Sequence, residues 1–125
     1  MEYDPMRAPV AETWNDADED ERIDAVERWH RKARLKMPNL RIHATMHVVV
    51  ENQIALGAET PVAATHARLM REGLDRHDAL HAIAAQFMGE MYGALKNTKA
   101  DLKGGYYAAL ERLTAKSWRA SANED

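Results

Sequence analysis

The sequence contains no cysteine, and this absence excludes several kinds of site. Disulfide bonds, thiolate-bound zinc, cysteine-held iron–sulfur clusters and cysteine nucleophiles all require a thiol. No apolar run approaches the roughly 20 residues that a membrane-spanning helix needs, and the acidic start, Met1 to Trp14, lacks the charged and then apolar pattern of a secretory signal. These absences predict a cytoplasmic protein that does not enter the membrane.

Aromatic residues are also scarce, since the chain has a single Phe, yet 46% of its residues are hydrophobic. The core must therefore be built from Leu, Met, Ala, Val and Ile, and the abundance of unbranched and small side chains favours helices over strands. A length of 125 residues fits one domain. The net charge of −3 argues against a dedicated nucleic-acid-binding protein, which is usually basic.

Helix-capping residues divide the chain into periodic segments. Asn39 and Asp75 are good N-caps, Thr60-Pro61 is a typical helix start, and Gly57 and Gly73 are natural stops. With apolar residues at spacings of three and four, these signals predict helices over residues 15–36, 40–56, 61–72, 76–96 and 106–119. The prediction is an all-α, single-domain bundle of four to five helices over 15–120, with an extended arm over 1–14 and a frayed tail over 121–125.

Histidines recur at helical spacing in two of these segments. His43, His47 and Glu51 stand at i, i+4 and i+8 of the second helix, and His77 and His81 stand one turn apart on the fourth. Side chains at i and i+4 project side by side, so each pair can share one metal ion. Both pairs follow closely after a helix start, where the positive end of the dipole favours neutral imidazole, the form that binds metals.

Short connections predict that the second, third and fourth helices run up, down and up, which places all four histidines at one level if the second and fourth helices are adjacent, a point that the sequence leaves open. We therefore predict a divalent transition-metal site formed by His43, His47, Glu51, His77 and His81. Nitrogen and oxygen donors suit zinc, iron, manganese, nickel or copper. Glu51 would be a fifth ligand or a general base, and an open coordination position could activate water or bind a small ligand.

Other readings remain open at this point. The histidines could be structural. The protein could then be a non-catalytic interaction module or a homodimer that uses the basic end of the first helix or the Gly89/Gly93 face. Close packing within the bundle would also explain those glycines. Arg41 and Arg76, each near a helix start, could instead form an anion pocket. His30 and His66 are isolated in the sequence and are expected to be partly buried helix residues.

The histidine segments also carry a family resemblance. The series His43-x3-His47-x3-Glu51-Asn52-Gln53, Thr60-Pro61, Arg68-Leu69 and Gly73-Leu74-x-Arg76-His77-x3-His81-Ala82-Ile83 resembles an uncharacterised family of short bacterial helical proteins with paired H-x3-H motifs, a domain of unknown function. The similarity spans about residues 40–90. It implies a small helical domain with these residues in common and implies no particular activity.

Overall fold

The computed structural model describes residues 1–122, and its regular structure is entirely helical. It contains α1 (Ala11–Asp16), α2 (Glu19–Lys32), α3 (Leu40–Ala55), a 3-10 turn (Gly57–Glu59), α4 (Val62–Arg71), α5 (Arg76–Lys96), α6 (Leu102–Arg112) and α7 (Ala115–Ala122). The all-α class is confirmed, but residues 1–122 form seven α-helices rather than four to five. Residues 123–125 of the expected tail lie outside the described residues. Within residues 1–122, no helix is both long and apolar enough to cross a membrane.

The first predicted helix, over residues 15–36, is in fact two helices. Ala17 adopts an extended conformation with ψ 144°, and the Asp18 side chain accepts a hydrogen bond of 2.8 Å from the Glu21 amide. The acidic run therefore supplies its own N-cap, and α2 begins at Glu19, four residues later than the predicted start at residue 15. The preceding residues fold as α1, which spans the end of the segment expected to be an extended arm and the first two residues of the predicted helix, and α1 buries Trp14.

The last predicted helix, over residues 106–119, is also divided. Asp101 caps α6 four residues earlier than expected, and Leu113 is extended with ψ 131°. Thr114 and Ser117 then form reciprocal backbone-to-side-chain hydrogen bonds of 2.9 and 3.0 Å. This capping box starts a new helix, because it satisfies free amides at the first turn of α7.

Two of the three middle helices, α3 and α5, begin where their caps predicted, and α4 begins one residue later than expected, at Val62. Asn39 accepts from the Ile42 amide at 3.1 Å, and Asp75 accepts from the Asp78 amide at 2.7 Å. Thr60 Oγ1 accepts from the Val62 amide at 3.2 Å, at the start of α4. The starts of α3 and α5 are therefore fixed by local hydrogen bonds, and these are the helices that carry the paired histidines.

Helix α3 lies at the centre of the fold and packs against α2, α4 and α5. One group of buried apolar side chains joins α3 to α4, α5 and α6 and includes Leu69, Ile83 and Leu110. A second group joins α3 to α1 and α2 and includes Trp14 and Val26. Because α3 contributes to both groups, it brings α2 and α5 into contact with the same helix.

The glycines of α5 do not mark a close approach between helices. In the described part of the chain, a Cβ atom built on Gly89 or Gly93 would have nothing within 4 Å apart from the adjoining residues and backbone of its own helix. The expectation that they allow close packing within the bundle is therefore wrong. Gly73 is different, because its φ of +111° is rarely adopted by residues with a side chain, and it ends the turn after α4.

We predict that Gly73→Ala destabilises the protein by about 1–2 kcal/mol, because its backbone would be strained and its Cβ would lie 3.2 Å from the Arg119 guanidinium. Gly89→Ala is the matched control and should stabilise by about 0.5–1 kcal/mol, since alanine is the better residue inside a helix. Denaturant unfolding of both variants measures the difference. Equal free energies of unfolding would contradict the strain at Gly73.

Candidate metal centre

Five histidine side chains converge between α2, α3 and α5. Each offers one ring nitrogen, and these five nitrogens all lie within 4.8 Å of one another. They belong to His30 on α2, His43 and His47 on α3, and His77 and His81 on α5. The four histidines predicted from their spacing are therefore brought together at metal-binding distance, and a fifth joins them.

Helix registration explains why the two pairs meet. His43 and His47 lie in the first turns of α3, and His77 and His81 lie in the first turns of α5. Since α3 packs directly against α5, each i, i+4 pair projects from its helix toward the other pair. His47 is only 2% exposed, whereas His43, His77 and His81 are half-buried.

The Nε2 atoms of three of these side chains form a nearly equilateral triangle. The distances are 3.1 Å between His43 and His47, 3.0 Å between His47 and His81, and 3.2 Å between His81 and His43. Each distance is short enough for a hydrogen bond. Whether all three contacts can be hydrogen bonds depends on where the imidazole protons lie.

The contacts of Tyr3 determine which ring nitrogen of His47 carries the proton. The Tyr3 hydroxyl donates to Oε2 of Glu51 at 2.7 Å and lies 3.0 Å from Nδ1 of His47. Its single proton is used on the carboxylate, so the hydroxyl oxygen must accept a hydrogen from Nδ1 of His47. A neutral His47 then has a bare lone pair on Nε2, directed at the other two rings.

This assignment leaves one edge of the triangle without a hydrogen bond. With no proton on Nε2 of His47, the remaining two rings supply at most two donors for three edges. At least one pair of nitrogens therefore meets with two lone pairs or two N–H groups, which repel each other. A metal ion accepts all three lone pairs at once, so the triangle suits a cation better than it suits a hydrogen-bond network.

Two more nitrogens at the cluster are unsatisfied. Nδ1 of His30 donates to the Val26 carbonyl at 2.8 Å, which leaves its Nε2 with a lone pair. Within residues 1–122, the buried Nε2 atoms of His30 and His77 have no hydrogen-bond partner. Trp29 covers both rings in edge-to-face contact, with centroid distances of 4.9 and 5.1 Å. Buried polar atoms without partners are rare in proteins and can mark the site of an ion.

The cluster is held in its neutral form. Burial, and then the neighbouring imidazoles, lower the pKa of His43 to about 4 and that of His81 to about 3. The same two causes hold the pKa of His47 far below its ordinary value. Burial also lowers the pKa of His30 and of His77. At neutral pH the five rings are therefore uncharged, as metal ligation requires.

Glu51 is not directed at the cluster as a ligand. Its carboxylate forms a buried ion pair with Arg76, with contacts of 2.6 and 2.8 Å, and accepts a hydrogen bond from the Tyr3 hydroxyl. Among the described residues, the candidate ligand group contains histidines and no carboxylate. Glu51, predicted to be a fifth ligand or a general base, therefore lies outside the candidate ligand group, and it contacts the cluster only through the Tyr3 hydroxyl, which lies 3.0 Å from Nδ1 of His47.

The two arginines expected at an anion pocket are both paired with carboxylates. Arg76 is 7% exposed and is held by Glu51 and by the Pro5 carbonyl, at 2.9 Å. Arg41 lies on the surface and donates to Asp24 at 2.6 Å and to Asp20 at 3.3 Å. Both guanidinium groups therefore already have anionic partners, and they do not converge on a shared site.

Sequence reasoning missed His30 and Tyr3. His30 follows Ile23 and Val26 on the buried stripe of α2, and a histidine in an apolar stripe is the signal that could have identified it. Tyr3 lies in the segment before α1, where no helical period exists to predict its position. His66 stays apart from the cluster, as expected, and its Nε2 lies 3.2 Å from the Arg76 carbonyl.

Comparison of the sequence with protein-family models and with curated proteins found no match. No solved structure matches either.

We predict that the metal-free protein loses stability as the pH falls from about 6.5 toward 4. Unfolded histidines bind protons near pH 6.5, whereas the folded cluster resists protonation until about pH 4 at His43 and about pH 3 at His81. The unfolded chain then binds more protons, so acid favours unfolding. Unfolding free energies measured from pH 8 to pH 4 test this.

The double variant His43→Gln/His81→Gln is the control for that profile. It should show a shallower slope between pH 6.5 and 4, by up to about two bound protons, because two depressed groups are removed. Identical slopes for the variant and the parent protein would show that these histidines do not titrate differently in the folded and unfolded states.

Proposed function

We propose that the protein binds a divalent transition-metal ion through His43, His47 and His81, with His30 and His77 as additional ligands. The observation that carries the proposal is the triangle of Nε2 atoms at 3.0 to 3.2 Å, because hydrogen bonds cannot satisfy all of its edges. The function that follows is that of a metal centre which holds or activates a small ligand.

The nitrogen separations match those around a metal ion. Imidazole nitrogens bind zinc and similar ions at about 2.0–2.1 Å, so neighbouring nitrogens are about 2.9 Å apart at a right angle and about 3.3 Å apart at the tetrahedral angle. The observed range of 3.0–3.2 Å falls between these values. Opposite ligands would be about 4.2 Å apart, and the 4.8 Å spread of all five nitrogens needs only a small contraction.

The donor set indicates the class of metal. Five neutral imidazoles suit zinc, copper, nickel, cobalt or ferrous iron, whereas magnesium and calcium prefer oxygen ligands. The lowered pKa values of His43 and His81 support binding of a metal by these nitrogens, since the two rings carry no additional proton that the metal would have to displace at neutral pH. We therefore expect a transition metal and no stoichiometric binding of calcium or magnesium.

Coordination by three to five imidazoles leaves at least one position on a six-coordinate ion for an exogenous ligand. Catalytic zinc sites combine a few protein ligands with one such position, which lowers the pKa of bound water. This part of the proposal is supported by a cavity that borders the rings of His43, His47 and His81, because it gives a small ligand space beside the metal centre. The chain's own contribution is to hold the rings neutral, to fix the His47 tautomer and to limit access of water.

Elemental analysis of the purified protein tests the proposal. We expect about one transition-metal ion per chain after reconstitution, and we expect His47→Ala to lose it, because His47 belongs to two edges of the triangle. His66→Ala is the matched control and should retain the metal, because His66 bonds to the Arg76 carbonyl outside the cluster. Equal metal content in the two variants, both confirmed as folded by circular dichroism, would refute the site.

Tyr3→Phe tests the supporting role of the Tyr3 hydroxyl. The variant leaves all five imidazoles in place but removes the acceptor for Nδ1 of His47. We expect the metal stoichiometry to be unchanged and the affinity to fall about 10- to 100-fold, as is typical when a hydrogen-bond partner of a ligand is lost. Competition with a chromophoric chelator measures the affinity. An unchanged affinity would show that Tyr3 does not position His47.

A further inference from the structure

A cavity of about 420 Å³ opens beside the cluster, between the first turns of α3, the middle of α5 and Trp118 of α7. Its size is that of a small-molecule pocket. Apart from three histidines and Asn39, the side chains that line it are apolar or aromatic, including Met37, Ile42, Met46 and Met88. Asn39 already accepts a hydrogen bond from the amide of Ile42 at the start of α3.

The three histidines that border this cavity are the members of the Nε2 triangle. His43, His47 and His81 line it, whereas His30 and His77 do not and are covered by Trp29. The cluster therefore has a side closed by the indole ring and a side that faces an apolar space. A molecule in the cavity therefore lies against the rings that form the triangle.

The charge at the metal centre indicates that the end of a ligand nearest the centre should be anionic. The candidate ligands are five neutral imidazoles without a carboxylate among the described residues, so a divalent ion bound by them keeps its full positive charge. Glu51 does not compensate it, because its carboxylate is paired with Arg76. Burial strengthens the attraction between this uncompensated charge and an anionic group.

We propose that the cavity binds a small organic monoanion with an apolar body, such as a short-chain carboxylate, whose head reaches the metal centre and whose body lies among Met46, Met88 and Trp118. This inference rests on the proposed metal site. The methionines suit the role, because their flexible side chains adapt to apolar ligands of different shapes.

Titration of the cobalt-loaded protein with acetate, hexanoate and hexanol separates the two recognition elements, with the visible absorption of cobalt as the readout. We expect hexanoate to bind at least about tenfold more tightly than acetate, since burial of two of its four additional methylene groups would give that ratio. Hexanol should bind more weakly than hexanoate, because it lacks the anionic head. Equal affinities for hexanoate and acetate, or for hexanoate and hexanol, would overturn the proposal.

Met88→Gln places a polar group of similar size in the cavity and should reduce the ratio of hexanoate to acetate affinity severalfold at unchanged cobalt content. Met70→Gln is the matched control, because Met70 is 42% exposed on α4 and does not line the cavity. An equal ratio in both variants would show that hexanoate does not occupy this cavity. Failure to bind cobalt at all would refute the metal site itself, so the two failures are distinguishable.

Discussion

Arg76 and Glu51 form a buried ion pair on which the arrangement of the histidines depends. Their side chains are 8% and 1% exposed, and two contacts of 2.6 and 2.8 Å join them. Charges so deeply buried are tolerated only when they are paired and hydrogen-bonded, and here Tyr3 and the Pro5 carbonyl complete the network. The pair links α3 to the start of α5, at the level of the histidines, and attaches the N-terminal segment to both helices.

This network also determines which nitrogen of His47 is free. Hydrogen bonds are donated by Arg76 to Glu51, by Tyr3 to Glu51 and by Nδ1 of His47 to Tyr3, so the lone pair on Nε2 of His47 faces the cluster. A network in which each donor has one acceptor is rigid, and it fixes a ring orientation that the rings alone would disfavour. The fold thus maintains an unfavourable convergence of nitrogens, which is typical of a site organised for a ligand.

The sequence predicted the parts of the site that depend on local geometry. The i, i+4 spacing of His43 with His47 and of His77 with His81, together with the caps Asn39 and Asp75, was sufficient to place two pairs of imidazoles near the starts of two helices. That these helices are adjacent, so that the pairs meet, follows from the packing of α3 against α5 and was not predictable from the sequence. The predicted number of helices was wrong because the side chain of Asp18 and the Thr114–Ser117 capping box each start a new helix where one longer helix was expected.

The partners that depend on tertiary packing were not predictable. His30 reaches the cluster only because α2 packs on α3, and Tyr3 lies in a segment without helical periodicity. Glu51 was predicted as a metal ligand from its spacing to His47. Its pairing with Arg76 depends on the contact between α3 and α5, which the spacing does not reveal.

That pairing with Arg76 has a chemical consequence for the site. Had Glu51 turned toward the imidazoles, its carboxylate would have neutralised part of a bound cation's charge and reduced its attraction for other anions. Because Arg76 holds Glu51 away, the ligand group consists of uncharged rings, with Trp29 on one side and an apolar cavity on the other. The buried ion pair therefore acts on the site in two ways. It orients His47 through Tyr3, and in the proposed metal centre it would leave the charge of the ion to be balanced by the proposed anion in the cavity.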